Sequence, residues 1–135
     1  YDGVVARAGA LPSNVAIVPY IDHMERVLPD VDLLVSRSGA TTLSEMTALG
    51  LPAVLIPSPN VTHNHQYRNA KSLENAGAAQ VLTEEQLQDH FTATIDQLMS
   101  APATLQQMAT ASKRLGVPDA TDQLIKVLEA AVKGD

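Results

Sequence analysis

Four short apolar runs recur along the chain: Val15-Ala-Ile-Val18, Leu33-Leu-Val35, Ala53-Val-Leu-Ile56 and Ala79-Gln-Val-Leu82, each with Pro, Gly, Asp or Ser at or near a boundary. Runs of this length with such boundaries read as strands. They are continuous rather than alternating, which suits strands covered on both faces, the habit of parallel sheets in α/β domains. The expected fold is therefore α/β, a Rossmann-like parallel sheet with flanking helices.

The intervening segments carry helix signals. Thr42 to Ala48 opens with the spacing of a capping box, Thr42-Leu-Ser-Glu45, and closes at Gly50, a residue suited to the left-handed end of a helix. From Asn64 to Ala76 the positions Tyr67, Ala70, Leu73 and Ala76 fall at helical spacing, with Gly77 as the stop. Asp22 to Leu28 predicts a shorter helix ending before Pro29. After Leu82 the strands cease, and Thr83 to Gln88, Ala103 to Leu115 and Asp119 to Val132 read as a helical tail. In the last of these, Leu124, Leu128 and Ala131 form an apolar stripe behind the start signal Pro118-Asp119.

Composition bounds the function. With 135 residues, 45% of them hydrophobic and 18% charged, the chain suits one domain with a single core and is too apolar for disorder. Fifteen acidic residues against nine basic ones give a net charge of -6, and no basic run is present to meet a phosphate backbone or an anionic bilayer. Nucleic acid is not expected as a partner. The absence of cysteine excludes disulfides and thiolate metal sites. The chain opens at Tyr1 without the pattern of a signal peptide, and its first dozen residues read as the tail of a helix, as expected of an N-terminally truncated domain.

The chemistry concentrates in two places. In Leu33-Leu-Val-Ser-Arg-Ser-Gly-Ala-Thr-Thr-Leu-Ser-Glu45 a strand passes through a tight turn into a helix, so the helix N-terminus faces the carboxyl edge of the sheet, where α/β folds bind ligands. Gly39 and Ala40 keep the turn small. Backbone N–H groups and the hydroxyls of Ser38, Thr41 and Thr42 can then surround a phosphate, aided by the helix dipole. Glu45 lies one turn further on, where a carboxylate can accept both protons of a ribose diol. The competing reading is that Thr42 and Glu45 merely cap the helix. Neither G-x-x-x-x-G-K-[ST] nor G-x-G-x-x-G is present, which argues against an ordinary NTPase or dehydrogenase.

The second place is the polar loop Pro57 to Gln66, which leaves the third run and enters the next helix at the same edge. His65 and Gln66 are placed to hydrogen-bond sugar hydroxyls; alternatively Asn64 is a cap and His63 and His65 are solvated. His63 and His65 have no third ligand nearby, so no metal site is expected. No serine sits in a G-x-S-x-G elbow, and Ser38 is not a convincing nucleophile.

Pro19-Tyr-Ile-Asp-His-Met24, the Ser36-to-Glu45 stretch, Gly50-Leu-Pro-Ala53, Asn64-His-Gln-Tyr-Arg-Asn-Ala70 and Val117-Pro-Asp-Ala-Thr121 together resemble the C-terminal domain of the bacterial peptidoglycan N-acetylglucosaminyltransferases of glycosyltransferase family 28. The resemblance covers nearly the whole chain. It implies the C-terminal half of a GT-B enzyme, whose two Rossmann-like domains face one another and whose C-terminal domain holds UDP-GlcNAc. On that resemblance the backbone of Ile21 would meet the uracil, with Tyr20 beside it and Arg37 nearby. Ala40, Thr41 and Thr42 would lie along the diphosphate, Glu45 would take the ribose, and Gln66, preceded by His65, would contact the GlcNAc.

The reaction implied is inverting transfer of GlcNAc to lipid I, giving lipid II, with no cofactor. The acceptor site, the catalytic base and the membrane-facing surface would belong to an N-terminal domain that this chain does not match. The resemblance further implies a protein of the cytoplasm, peripheral on the inner face of the plasma membrane. Three alternatives stand beside this: a separate donor-binding subunit like the soluble chain of the eukaryotic two-chain GlcNAc transferase, another GT-B transferase or epimerase, and a binding module without chemistry.

Overall fold

A computed structural model describes residues 1–59 and 64–133. The chain divides into two compact units, Tyr1–Asp30 and Val31–Asp135. The first holds α1 (Asp2–Ala8), α2 (Met24–Val27) and a 3-10 turn over Leu28–Asp30. Helix α1 stops at Gly9, whose φ of +64° is open to glycine at little cost. Helix α2 is shorter than the spacing predicted: it starts at Met24, after His23 as its N-cap, and directly after Val27 the chain passes into the tighter 3-10 turn that contains Pro29.

The run Val15–Val18 is not a strand. Val15 donates its N–H to the carbonyl of Pro12 in a turn, and Val15 and Val18 are exposed. A strand needs a neighbour to accept its ladder, and no strand forms among residues 1–30.

In the second unit the other three runs become β1 (Leu34–Ser36), β2 (Ala53–Leu55) and β3 (Ala79–Val81). They form a parallel sheet in the order β1-β2-β3, with Leu34, Val35 and Ser36 opposite Ala53, Val54 and Leu55, which in turn face Ala79, Gln80 and Val81. The central strand is buried on both faces, with Ala53, Val54 and Leu55 all at 0% exposure. This is why its run has no polar alternation.

The crossovers are α3 (Ala40–Leu49) and α4 (His65–Asn75), followed by α5 (Glu84–Met99), α6 (Pro102–Leu115) and α7 (Ala120–Lys133). Gly50 and Gly77 follow the ends of α3 and α4 with φ of +74° and +78°, so both stop signals hold. Val54, Leu82, Leu98 and Met108 form a core cluster joined by Leu33, Leu87, Phe91, Ile95 and Leu105. Helices α5 and α6 are thereby fastened to the sheet, since each fully buried side chain of this size contributes about 1.5–3 kcal/mol. The stripe on α7 is not buried: Leu124, Leu128 and Ala131 are all exposed, as are Ile125 and Val127, so amphipathic spacing specified the helix without burying its apolar face.

The capping box falls elsewhere. Helix α3 begins at Ala40 with Gly39 as its N-cap and no side chain bonded there, which makes Thr42 its third residue rather than its cap. The box closes instead at Thr83 and Gln86 on α5, where the Thr83 N–H donates to Gln86 Oε1 at 2.9 Å.

Candidate functional site

Strands β1 and β2 are parallel, so the segments leaving them at Arg37 and Ile56 emerge on one edge of the sheet. The first rises into α3 after three residues, Arg37 to Gly39. The second leads to α4, whose N-cap Asn64 adopts the left-handed conformation at φ +52°, which asparagine tolerates better than most residues. The edge thus carries two helix N-termini, and among the described residues no side chain caps either.

At the start of α3 the first bond back into the helix is from Leu43 N–H to the Gly39 carbonyl at 3.0 Å. The N–H groups of Ala40, Thr41 and Thr42 are therefore donors that the helix itself cannot satisfy. Ala40 and Thr41 are exposed and Thr42 is half-buried. The aligned peptide dipoles add about half a positive charge at this end. Glu45, in the second turn of α3, is exposed.

Ser38 stands apart from the expected cluster. Its side chain is wholly buried, and its hydroxyl donates to the carbonyl of Gln66 at 2.8 Å. It is therefore not among the hydroxyls presented to an anion, and it leaves the N-cap role to Gly39. Gln66 is half-buried and held a second time, its Oε1 accepting the N–H of Ser58 at 3.0 Å. The structure thus joins the two sequence-identified stretches through Ser38 and Gln66. His65 is exposed at the first position of α4, and His63 lies outside the described residues.

Arg37 is the other tie at this edge. Its Nη1 donates to the carbonyls of Ile56 and Pro57, each at 3.3 Å, and its Nη2 meets Glu84 at 2.6 Å. The guanidinium is pinned to the exit of β2 and to the first turn of α5, with its charge already paired. Sequence spacing did not point to Glu84, which acts across the fold, and Ser58, although within the Pro57-to-Gln66 loop, contributes only its backbone N–H, which no side-chain pattern reveals. Tyr20, 76% exposed, and Ile21, half-buried, belong to the first unit. Among the described residues no group of three or more His, Cys, Asp or Glu is arranged to hold a metal, and no helix is long and apolar enough to cross a membrane.

A parallel sheet whose strand ends open onto helix N-termini is the architecture of a GT-B glycosyltransferase domain, and solved structures of that class superpose on it. A crystal structure of Acinetobacter baumannii MurG matches with a TM-score of 0.77 at 26% identity, over 84% of this chain and 34% of that one. The glycosyltransferase VinC, solved in complex with dTDP, shares the fold with a TM-score of 0.70 at 23% identity, over 96% of this chain and 33% of its own. Residues 2–124 match the glycosyltransferase family 28 C-terminal domain, and the chain belongs to that family. The UDP-N-acetylglucosamine–N-acetylmuramyl-(pentapeptide) pyrophosphoryl-undecaprenol N-acetylglucosamine transferase of Lacticaseibacillus casei strain BL23 is 56% identical over 128 residues, 95% of this chain. The chain spans 35% of the length of that relative.

Proposed function

We propose that this chain is the donor-binding part of an inverting glycosyltransferase that moves GlcNAc from UDP-GlcNAc to lipid I in peptidoglycan synthesis. The observation that carries the proposal is the uncapped start of α3, set three residues beyond β1 at the carboxyl edge of a family 28 domain. The N–H groups of Ala40, Thr41 and Thr42 receive the diphosphate, and Gly39 lets it approach the backbone. Arg37 is already paired with Glu84, so the anion is held by backbone donors and the helix dipole more than by a side-chain cation. Glu45 accepts the ribose hydroxyls from the second turn of the same helix. Gln66 and His65, at the start of α4, meet the sugar. The uracil contact at Ile21, with Tyr20 beside it, is carried by the family resemblance.

In transfer, the bond from the anomeric carbon to the β-phosphate oxygen breaks, and negative charge gathers on the departing UDP. Donors already aimed at that oxygen stabilise the charge without reorganising, the kind of contribution that dominates many active sites. The base that takes the acceptor proton, the lipid I site and the contact with the cytoplasmic face of the membrane are assigned to the portion of the relatives that this chain does not span. No residue of this chain is given a catalytic role.

Calorimetry with UDP, UDP-GlcNAc and ADP tests the donor site. UDP and UDP-GlcNAc are expected to bind more tightly than ADP; equal binding of UDP and ADP contradicts the uracil assignment, and no binding of UDP contradicts the site. In an assay of labelled GlcNAc transfer to a lipid I analogue, the chain alone is expected to be inactive, since holding the acceptor in line contributes roughly 7–11 kcal/mol of barrier reduction. Turnover by the chain alone would place the base within it.

A further inference from the structure

We infer that Ser38 is a positioning residue that, with the backbone of Ser58, presets Gln66 to meet the donor sugar purely as a hydrogen-bond donor. The inference rests on the donor-site reading above and adds to it how the sugar end of the site is held and which chemistry it selects.

The Ser38 hydroxyl is fully buried beneath the turn from β1 to α3, so it cannot itself reach a ligand at the edge. Its bond to the Gln66 carbonyl, 2.8 Å long and spanning 28 residues of sequence, instead fixes the main chain of the first turn of α4 against the turn that receives the diphosphate. The side chain of Gln66 is fixed independently by the Ser58 N–H at 3.0 Å. A backbone N–H only donates, so the atom facing it is the amide oxygen, and the opposite end of the amide is the NH2 group. Both the backbone and the side-chain torsions of Gln66 are therefore set before any ligand arrives, which removes an ordering cost from binding. The end left to the ligand offers hydrogens and no lone pair. Such a group selects a partner with hydroxyl or carbonyl oxygens at the sugar position, and a nucleoside diphosphate without the sugar gains nothing from it.

The test compares Kd for UDP and for UDP-GlcNAc, by calorimetry, in the parent chain, Ser38→Ala, Gln66→Ala and the double variant, with thermal melts as the control for folding. In the parent the sugar is expected to tighten binding. Ser38→Ala is expected to lower the ratio Kd(UDP)/Kd(UDP-GlcNAc) roughly three- to tenfold, the equivalent of one hydrogen bond, while UDP alone binds as before. In the Gln66→Ala background the same change is expected to have no further effect, because a residue acting through the amide has nothing left to act on. Should Ser38→Ala fail to fold, Ser38→Cys keeps the volume with a weaker donor, and its ratio is expected to fall in the same direction. A normal ratio in the folded Ser38 variant alongside a lowered one in Gln66→Ala overturns the positioning role and leaves the donor site standing. So does an equal loss of UDP and UDP-GlcNAc affinity, which would make Ser38 a support of the diphosphate turn. A parent that binds neither ligand overturns the donor-site reading itself.

Discussion

A side-chain carbon added to Gly116 would stand 2.8 Å from the carbonyl carbon of Thr47 and closer still to its oxygen. Gly116 follows the last residue of α6, and Thr47 lies in α3, so the two helices meet there backbone to backbone. The contact is reinforced by Ser112, fully buried, whose hydroxyl donates to the Met46 carbonyl at 3.4 Å. Helix α3 carries the proposed diphosphate site, and α6 holds it from the other end.

Gly116→Ala is therefore expected to destabilise the fold by about 1–3 kcal/mol, as overpacking of a tight contact does. The φ of Gly116 is an ordinary -72°, so the loss comes from steric overlap rather than backbone strain. Urea denaturation of the two proteins measures it, and an unchanged midpoint would show that α6 can draw back freely.

Gly39 gives the opposite expectation. Its φ is -69°, and a Cβ there would meet nothing within 4 Å, so the fold does not require glycine at this N-cap. Gly39→Ala is expected to change stability by less than about 1 kcal/mol, the scale of an N-cap preference. UDP affinity should nevertheless fall, because the methyl group would block the approach of the diphosphate to the backbone. Retained UDP affinity in calorimetry would remove Gly39 from the site.

Glu45→Gln separates ligand binding from folding. The side chain is exposed and α3 has no side-chain cap, so the melting temperature is expected to stay where it is. UDP binding should weaken by on the order of 1–3 kcal/mol as a charge-assisted pair to the ribose becomes a neutral one. A variant that binds UDP like its parent would leave Glu45 a surface residue.

Glu85 makes stability depend on pH. A hydrogen bond with the Thr83 side chain, and next one with its own backbone N–H, hold its carboxyl below the ordinary value of 4.5. The folded state therefore binds this proton less readily than the unfolded chain. Its contribution is complete above the unfolded pKa and is lost as the pH falls from there through the lower folded pKa. Glu85→Gln is expected to flatten the decline in urea midpoint below about pH 4.5, the unfolded carboxyl value. An identical acid slope in both proteins would show that the two bonds do not distinguish its protonation states.

The sequence by itself determined what depends on neighbours along the chain: the apolar runs of β2 and β3, the helical spacing of α4, and the left-handed stops at Gly50 and Gly77. These follow from periodicity and from glycine's freedom at positive φ, which are local properties. Strand formation at Val15–Val18 was not of this kind, since an apolar run becomes a strand only where a second strand accepts its hydrogen bonds. The Thr42–Glu45 spacing satisfied the capping rule, yet in the folded chain the helix starts at Ala40, its first bond running from the Leu43 N–H to the Gly39 carbonyl, and the Ser38 hydroxyl is spent on the Gln66 carbonyl. The strand, tight turn and helix around residues 33–45 were legible, and so was the edge they face. Which side chains there stay open and which are consumed by the scaffold was decided by partners outside any local motif: Ser38 by Gln66 and Arg37 by Glu84, far away in sequence, and Gln66 by the backbone of Ser58 eight residues before it. Hydrogen bonds and ion pairs act over a few ångströms of space whatever the separation along the chain, so only the folded backbone could assign them.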